Sequence, residues 1–385
     1  MRTPIYINGK FYGAGLNGVH RVADRLIHEL DRFLREMPEA ERPPVRLLLP
    51  RSRPCWRIEL QAIEVVEQSF LNGQVWEQLV LPFRARDGLL LNLCNLAPLI
   101  HRNKVTMIHD AQFHLTDSSY PLETRLLYKV LSPAIARSSR RVITVSDSSR
   151  QMLDLMRVAR REEVMVLHNG ADHLRDVIED GSILDEHRLR GAPFVVHVAS
   201  PKAYKNTKIL LDAFRRPPLK PLKLVLVGAG RAELEEARLE IAPDVMLLGK
   251  VSDGQLAALY RSAVCIAFPS RAEGFGLPPA EAMSLGCPAV VAPAGAIAEV
   301  CGDAVLYAGV DDAGAWADAI LQLHEDPVLR AAKVQAGLAR MSRMTWLAAG
   351  RGLAGELLRL TGGWTPQGAL ATGEAAGAYA QHAAE

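Results

Sequence analysis

A chain of 385 residues exceeds one ordinary core and fits two domains, and 49% hydrophobic with 23% charged residues is the balance of a globular protein, not of a disordered or fibrous one. With 45 basic against 43 acidic residues the formal charge is +2, so no global field draws the protein onto nucleic acid. Five widely spaced cysteines (Cys55, Cys94, Cys265, Cys287, Cys301) with no Cys-X-X-Cys pair argue against a disulfide framework or structural zinc and fit a reducing cytoplasm. The N-terminus lacks the basic-then-apolar pattern of a signal peptide. The longest apolar run, 88–100, contains Asn92 and Asn95 and falls short of the roughly 18 residues needed to span a bilayer.

Short apolar runs at 4–8, 45–49, 89–93, 105–108 and 142–145 read as buried strands, with amphipathic stretches such as 22–33 between them. This is the rhythm of a parallel α/β sheet and predicts a first domain over 1–172. The pattern breaks at His168-Asn-Gly-Ala-Asp172, whose turn chemistry opens a polar linker expected at 173–190. A second series of strands at 194–198, 222–227, 245–248, 264–268 and 289–292, with helices such as 207–214 and 256–262, predicts a second domain of the same architecture over 191–345. A helix at 346–362 is expected to pack back toward the first domain. The Gly- and Ala-rich stretch 363–385 has little to bury and reads as a disordered tail.

The densest chemistry lies at 269–283, reading Pro-Ser-Arg-Ala-Glu-Gly-Phe-Gly-Leu-Pro-Pro-Ala-Glu-Ala-Met between a strand and a helix. Glycines let bare backbone approach a ligand, and prolines suit a helix's first turn, where no amide donor is needed. A helix N-terminus presents unpaired amides and a partial positive charge, so this loop is a natural phosphate site. Glu273 precedes the helix and Glu281 lies in it, so one acid can reach a sugar hydroxyl while the other reaches a ribose. The blander alternative is a turn-and-capping device.

This Glu273-X7-Glu281 stretch resembles the signature of glycosyltransferase family 4, whose members have the GT-B fold of two Rossmann-like parallel-sheet domains facing a cleft. Other segments agree in order: Asn17-Gly-Val-His-Arg21 with the N-terminal Gly-rich turn, Val105-Thr-Met-Ile-His-Asp110 with the His-bearing strand end, and Val142 to Arg150 with the next strand and helix start. His168 to Asp172 resembles the domain junction and Ser200-Pro-Lys-Ala-Tyr-Lys-Asn206 the first donor-domain loop, so the similarity covers about residues 5–350. The resemblance implies retaining, metal-independent transfer of a hexose, with a lean to bacterial mannosyltransferases that build surface polysaccharide. The co-substrate would be a nucleotide diphosphate sugar, GDP-mannose or a UDP-sugar, and no other cofactor is called for. The acceptor would be a glycan or lipid-linked saccharide, and the location cytoplasmic or peripheral at the inner face of the membrane.

Carried over by position, His109 and Glu273 are the catalytic candidates, with His109 orienting the sugar. Lys205 would neutralise the leaving diphosphate. Gly18, Ser200, Gly274, Phe275, Gly276, Leu277 and Glu281 would complete the donor site, Glu281 on the ribose. Gly15, Asn17, Arg21 and Asp110 fall on the acceptor side, with Arg21 near the phosphates. The family often has an arginine where this chain has Ser200, which removes a second cation from the diphosphate. The absence of an Asp-X-Asp tripeptide and of any cluster with metal spacing is compatible with a metal-free site.

Two other readings compete. Gly228-Ala-Gly230 after a strand resembles the start of a dinucleotide fingerprint and would suit an NAD-dependent oxidoreductase, but Glu233 stands where the third glycine belongs. A catalytically degenerate nucleotide-sugar binder would be expected to lose Lys205, Glu273 or Glu281, and all three are present. The basic clusters 137–141 and 157–161 read first as solvated helical faces, with contact to anionic lipid as the alternative.

Overall fold

The computed structural model describes residues 2–15, 17–50, 54–68, 71–111 and 122–362, so the tail expected at 363–385 lies outside the described residues. Among the described residues, seven parallel strands form the N-terminal sheet in the order β3-β2-β1-β4-β5-β6-β7. They are β1 Ile5–Asn8, β2 Val45–Pro50, β3 Glu64–Gln68, β4 Leu89–Asn92, β5 Lys104–Met107, β6 Arg141–Thr144 and β7 Val164–Val166. Six further parallel strands form the C-terminal sheet in the order β10-β9-β8-β11-β12-β13. These are β8 Phe194–Ala199, β9 Lys223–Gly228, β10 Met246–Gly249, β11 Cys265–Phe268, β12 Ala289–Val291 and β13 Leu306–Tyr307.

Covered on both faces, central strands of a parallel sheet bury every residue, which is why β1, β4, β5 and β11 are short continuous runs without alternation. On the N-terminal sheet, Ile7, Leu47 and Leu91 pack with Val22, Leu26 and Leu30 of the helix Gly18–Glu36, whereas Tyr6, Leu48 and Leu90 pack against Trp76, Leu81 and Ala85 on the opposite side. That first helix begins at Asn17, whose side chain accepts from the His20 amide, and its buried residues recur at three- and four-residue spacing.

The chain passes between the sheets twice, at 167–173 and at 344–346, and the two crossings are packed on one another. Asp172 Oδ1 accepts from the Trp346 amide at 2.9 Å, and Trp346 Nε1 donates to His173 Nδ1 at 3.2 Å. The last helix, Trp346–Leu360, lies along the helix Gly18–Glu36. Within 173–190, the helix Ser182–Glu186 buries Ile183 and Leu184 beside the helix Asp253–Ser262, so the polar stretch is folded onto the C-terminal half.

Candidate functional site

The carboxyl ends of β11 and β5 meet, and the motif residues collect where they do. After β11 the chain turns through Gly276, whose φ of 93° is left-handed and open to glycine at no steric cost, into the helix Leu277–Ser284. A side chain there would strike Ile297, since its Cβ would fall 2.4 Å from Ile297 Cδ1. Lys205 closes a short turn after β8, followed by Asn206 in the left-handed conformation, whose side chain donates to the Val310 carbonyl at 2.7 Å. The Lys205 ammonium lies 2.7 Å from Glu273 Oε1, with 19% and 11% of the two side chains exposed. It also sits 5.2 Å from the ring centres of both Tyr204 and Phe268. The cation and carboxylate are thus neutralised against each other.

Across the interface, His109 is buried and its Nε2–H donates to the Leu93 carbonyl at 2.8 Å. Burial lowers its pKa to about 4, so the ring is neutral, and the proton on Nε2 leaves Nδ1 as an acceptor. Asn95 fixes the same turn, its side-chain oxygen accepting from the His109 amide at 2.8 Å. A Cβ on Gly274 would lie 2.9 Å from the His109 carbonyl and 3.2 Å from Asp110 Cβ, so the donor loop touches the N-terminal domain at this point. Ser146 and Ser149 hold the contact by donating to the Gly274 carbonyl at 2.6 and 3.1 Å.

Glu281 is buried beside His173, with Oε1 at 3.4 Å from Nε2. Burial raises the Glu281 pKa to about 7 against the pull of Arg21, while burial and the nearby arginines lower that of His173 to about 3. Because His173 Nδ1 accepts from Trp346, its Nε2 carries the proton, and this buried N–H lies near the carboxylate without a hydrogen bond to it.

Several expected residues are occupied by structural contacts. Arg21 makes a bidentate pair with Asp253 of the opposite domain, both bonds 2.8 Å. Asn17 caps the first helix, and the Gly15 carbonyl accepts from His20 Nδ1 at 2.8 Å. Gly18 borders the donor helix, a Cβ there lying 4.0 Å from Leu277 Cδ1. The Ser200 hydroxyl accepts from the Lys202 amide at 3.3 Å within its own turn. At the Gly228–Gly230 turn, Glu233 accepts from the Gly230 amide at 2.8 Å, so the helix end a dinucleotide would need is filled by the protein's own carboxylate.

Other residues at the site carry no motif. His197 under the donor loop donates through Nδ1 to the Ala267 carbonyl at 2.9 Å and accepts through Nε2 from Thr207 at 3.0 Å, bracing β8 against β11. Glu299 reaches across the interface to accept from the Asp147 and Ser148 amides at 2.8 and 2.9 Å and from His168 at 2.7 Å, an anion placed on a helix N-terminus. Only the Ser146-Asp147 helix start had a readable signal, as an N-cap.

Comparison with known proteins adds to this geometry. A family model described as glycosyl transferases group 1 matches residues 192–326. The O-antigen chain mannosyltransferase B of Escherichia coli is 29% identical over 256 residues, covering 63% of this chain and 66% of the relative. The O-antigen chain mannosyltransferase RfbU of Salmonella typhimurium is 26% identical over 237 residues, covering 60% and 63%. The chain therefore matches just under two thirds of either relative's own length. Among solved structures, sucrose-phosphate synthase from Thermosynechococcus elongatus superposes with a TM-score of 0.69 at 18% identity, covering 93% of this chain and 98% of that one. The Anabaena HepE structure in complex with UDP-glucose gives 0.68 at 19% identity, covering 93% and 99%. Family match, relatives and fold agree: the chain is similar to the GT4-like glycosyltransferases of the GT-B fold, and its residues 192–326 match the group 1 family model.

Proposed function

We propose that this chain transfers a hexose from a nucleotide diphosphate sugar to a glycan or lipid-linked acceptor in polysaccharide synthesis, with retention of configuration and GDP-mannose as donor. The observation that carries the reading is the Lys205–Glu273 pair at 2.7 Å, set beside the start of the helix Leu277–Ser284 and opposite His109. In the reaction the bond from the anomeric carbon to the diphosphate oxygen breaks and one to the acceptor oxygen forms on the same face. The acceptor proton passes to the departing phosphate oxygen. Lys205 and the amides of the 274–277 loop stabilise the charge that develops on the leaving group, Glu273 accepts from a sugar hydroxyl, Glu281 accepts from the ribose, and His109 Nδ1 orients the sugar. Ser200 lies at the turn that delivers Lys205. The mannose assignment is supported by the names of the two O-antigen relatives.

The test is product analysis with GDP-mannose, UDP-glucose and UDP-N-acetylglucosamine against oligosaccharide and lipid-linked acceptors, with and without EDTA. A mannosyl product with unchanged anomeric configuration that forms in EDTA supports the reading. Turnover of UDP-glucose alone overturns the donor, inversion overturns the mechanism, and loss in EDTA overturns metal independence. A stability shift with NAD and none with any sugar nucleotide would favour the oxidoreductase reading.

A further inference from the structure

The turn Lys10–Gly13 follows β1 and Trp56 follows β2, so both stand at the carboxyl edge of the N-terminal sheet, the edge that carries His109 after β5. Aromatic rings gather there. Phe11 and Tyr12 are buried and stacked with their centres 4.3 Å apart, and Trp56 packs on them at 6.2 and 5.3 Å. His20, from the first turn of the helix Gly18–Glu36, closes the group at 5.8 Å from Phe11 and 6.3 Å from Trp56.

The array is held from behind. Tyr12 Oη donates to Asp24 at 2.7 Å, the Cys55 amide donates to the Tyr12 carbonyl at 2.7 Å, and His20 Nδ1–H donates to the Gly15 carbonyl at 2.8 Å. Trp56 is half-buried, and the one polar atom of its side chain, Nε1, lies in the buried part without a hydrogen-bond partner. What the indole shows to solvent is therefore carbon alone. With Nδ1 donating, His20 Nε2 is an acceptor, 3.5 Å from Asn17 Nδ2. Burial lowers the His20 pKa, so the ring is neutral and offers no charge to an anion.

A fixed aromatic carbon face with a neutral acceptor beside it suits a pyranose ring, whose C–H bonds make an apolar face and whose hydroxyls stand around its rim. Position decides which sugar unit that would be. In the order β2-β1-β4-β5, Tyr12 stands two strands and Trp56 three strands from His109, roughly 10–14 Å at one strand spacing each. One pyranose ring does not span that distance, so a unit stacked on Trp56 is separate from the one at His109.

We propose that Trp56, with His20 beside it, forms a subsite for a sugar unit of the acceptor that lies beyond the unit receiving the hexose. The inference rests on the transfer reading above and deepens it, making the acceptor an oligosaccharide chain read at more than one unit.

The full chain would be titrated with manno-oligosaccharides of one, two and three units, and separately with GDP, by calorimetry and by indole emission. The difference from Trp56→Phe isolates this ring from the chain's other tryptophans. Affinity is expected to rise by about tenfold from the single sugar to the trisaccharide, with the Trp56 emission responding to the trisaccharide. Trp56→Leu, which keeps an apolar body in the packing and removes the aromatic face, should cut that rise by about fivefold, whereas Trp56→Phe should keep most of it. The readout is the ratio of trisaccharide to monosaccharide affinity, which a merely structural Trp56 would not move. Equal affinity at every length, no oligosaccharide binding, a rise that survives Trp56→Leu, or an indole that answers GDP alone overturns the inference. Turnover of a sugar nucleotide without length dependence would leave the transfer reading standing while the subsite falls. Length-dependent binding at Trp56 without turnover of any sugar nucleotide would support the subsite and overturn the transfer reading.

Discussion

The carboxyl ends of β11 and β5 face one another but are built differently. At β11 the charges are matched inside one domain: Lys205 meets Glu273, and His197 braces the strands beneath them. At β5 the central group, His109, is neutral and held by a carbonyl, and two contacts of its domain cross the interface, Arg21 to Asp253 and the Asp147 helix start to Glu299. The Lys205–Glu273 side is tied by contacts within its own domain, whereas the opposite side has contacts that cross to the other domain.

The largest effect should come from breaking the donor pair. In the proposed reaction Lys205 stabilises the departing diphosphate, so Lys205→Ala should lower kcat/KM by about a hundredfold to a thousandfold, with Glu273→Gln in the same range. Steady-state kinetics with saturating acceptor would check it. If Glu273→Gln kept its turnover while His109→Phe abolished it, the weight of the chemistry would lie on the other side of the interface.

Next in size is the crossing that sets one domain against the other. A Cβ at Gly170 would fall 2.2 Å from the Trp346 backbone nitrogen, with no flexible side-chain end to yield. Gly170→Ala should therefore destabilise the protein by about 1–3 kcal/mol, read as a lowered thermal midpoint. An unchanged midpoint would mean that the two crossings are less tightly packed than their contacts with Asp172 and His173 indicate.

How much of this was readable follows from the same contrast. Central strands such as β4 announce themselves because a strand buried on both faces is a continuous apolar run, whereas β3, with Glu64 and Glu67 exposed at the sheet edge, and the three-residue β7 do not. Glu273 and Glu281 stand in a recognisable local motif, but the burial of Glu281 against His173 depends on a residue far away in the chain that looked like linker. The pairing of Arg21 with Asp253 was not readable, because a bidentate contact to another domain leaves no trace in local spacing. Glu299 and His197 were invisible for that reason too.

Glu281 gives a pH test of the site. Burial raises its pKa from 4.5 to about 7, so the folded protein holds the proton more tightly than the unfolded chain. Its contribution to stability is full at pH below the unfolded value and is lost as pH rises through about 7. If the ionised carboxylate accepts from a ribose, donor affinity should run the other way, rising roughly tenfold between about pH 6 and pH 8. Calorimetric titration with the bare nucleoside diphosphate, whose second phosphate ionisation is corrected by the same series on Glu281→Gln, separates the two. A slope that survives Glu281→Gln would assign the proton to another group.

The smallest effect belongs to the clasp between Arg21 and Asp253. Its two bonds are short and bidentate, but the side chains are 20% and 32% exposed, so solvent screens much of the attraction. A cycle of Arg21→Ala, Asp253→Ala and the double variant should give a coupling energy of about 1 kcal/mol in thermal or denaturant unfolding. Because the pair joins the domains without touching the Lys205–Glu273 contact, each single variant should raise KM for the acceptor more than it lowers kcat. A fall in kcat as deep as that of Lys205→Ala would instead place Arg21 at the reacting centre, and the division between a side tied within its own domain and a side tied across the interface would fail.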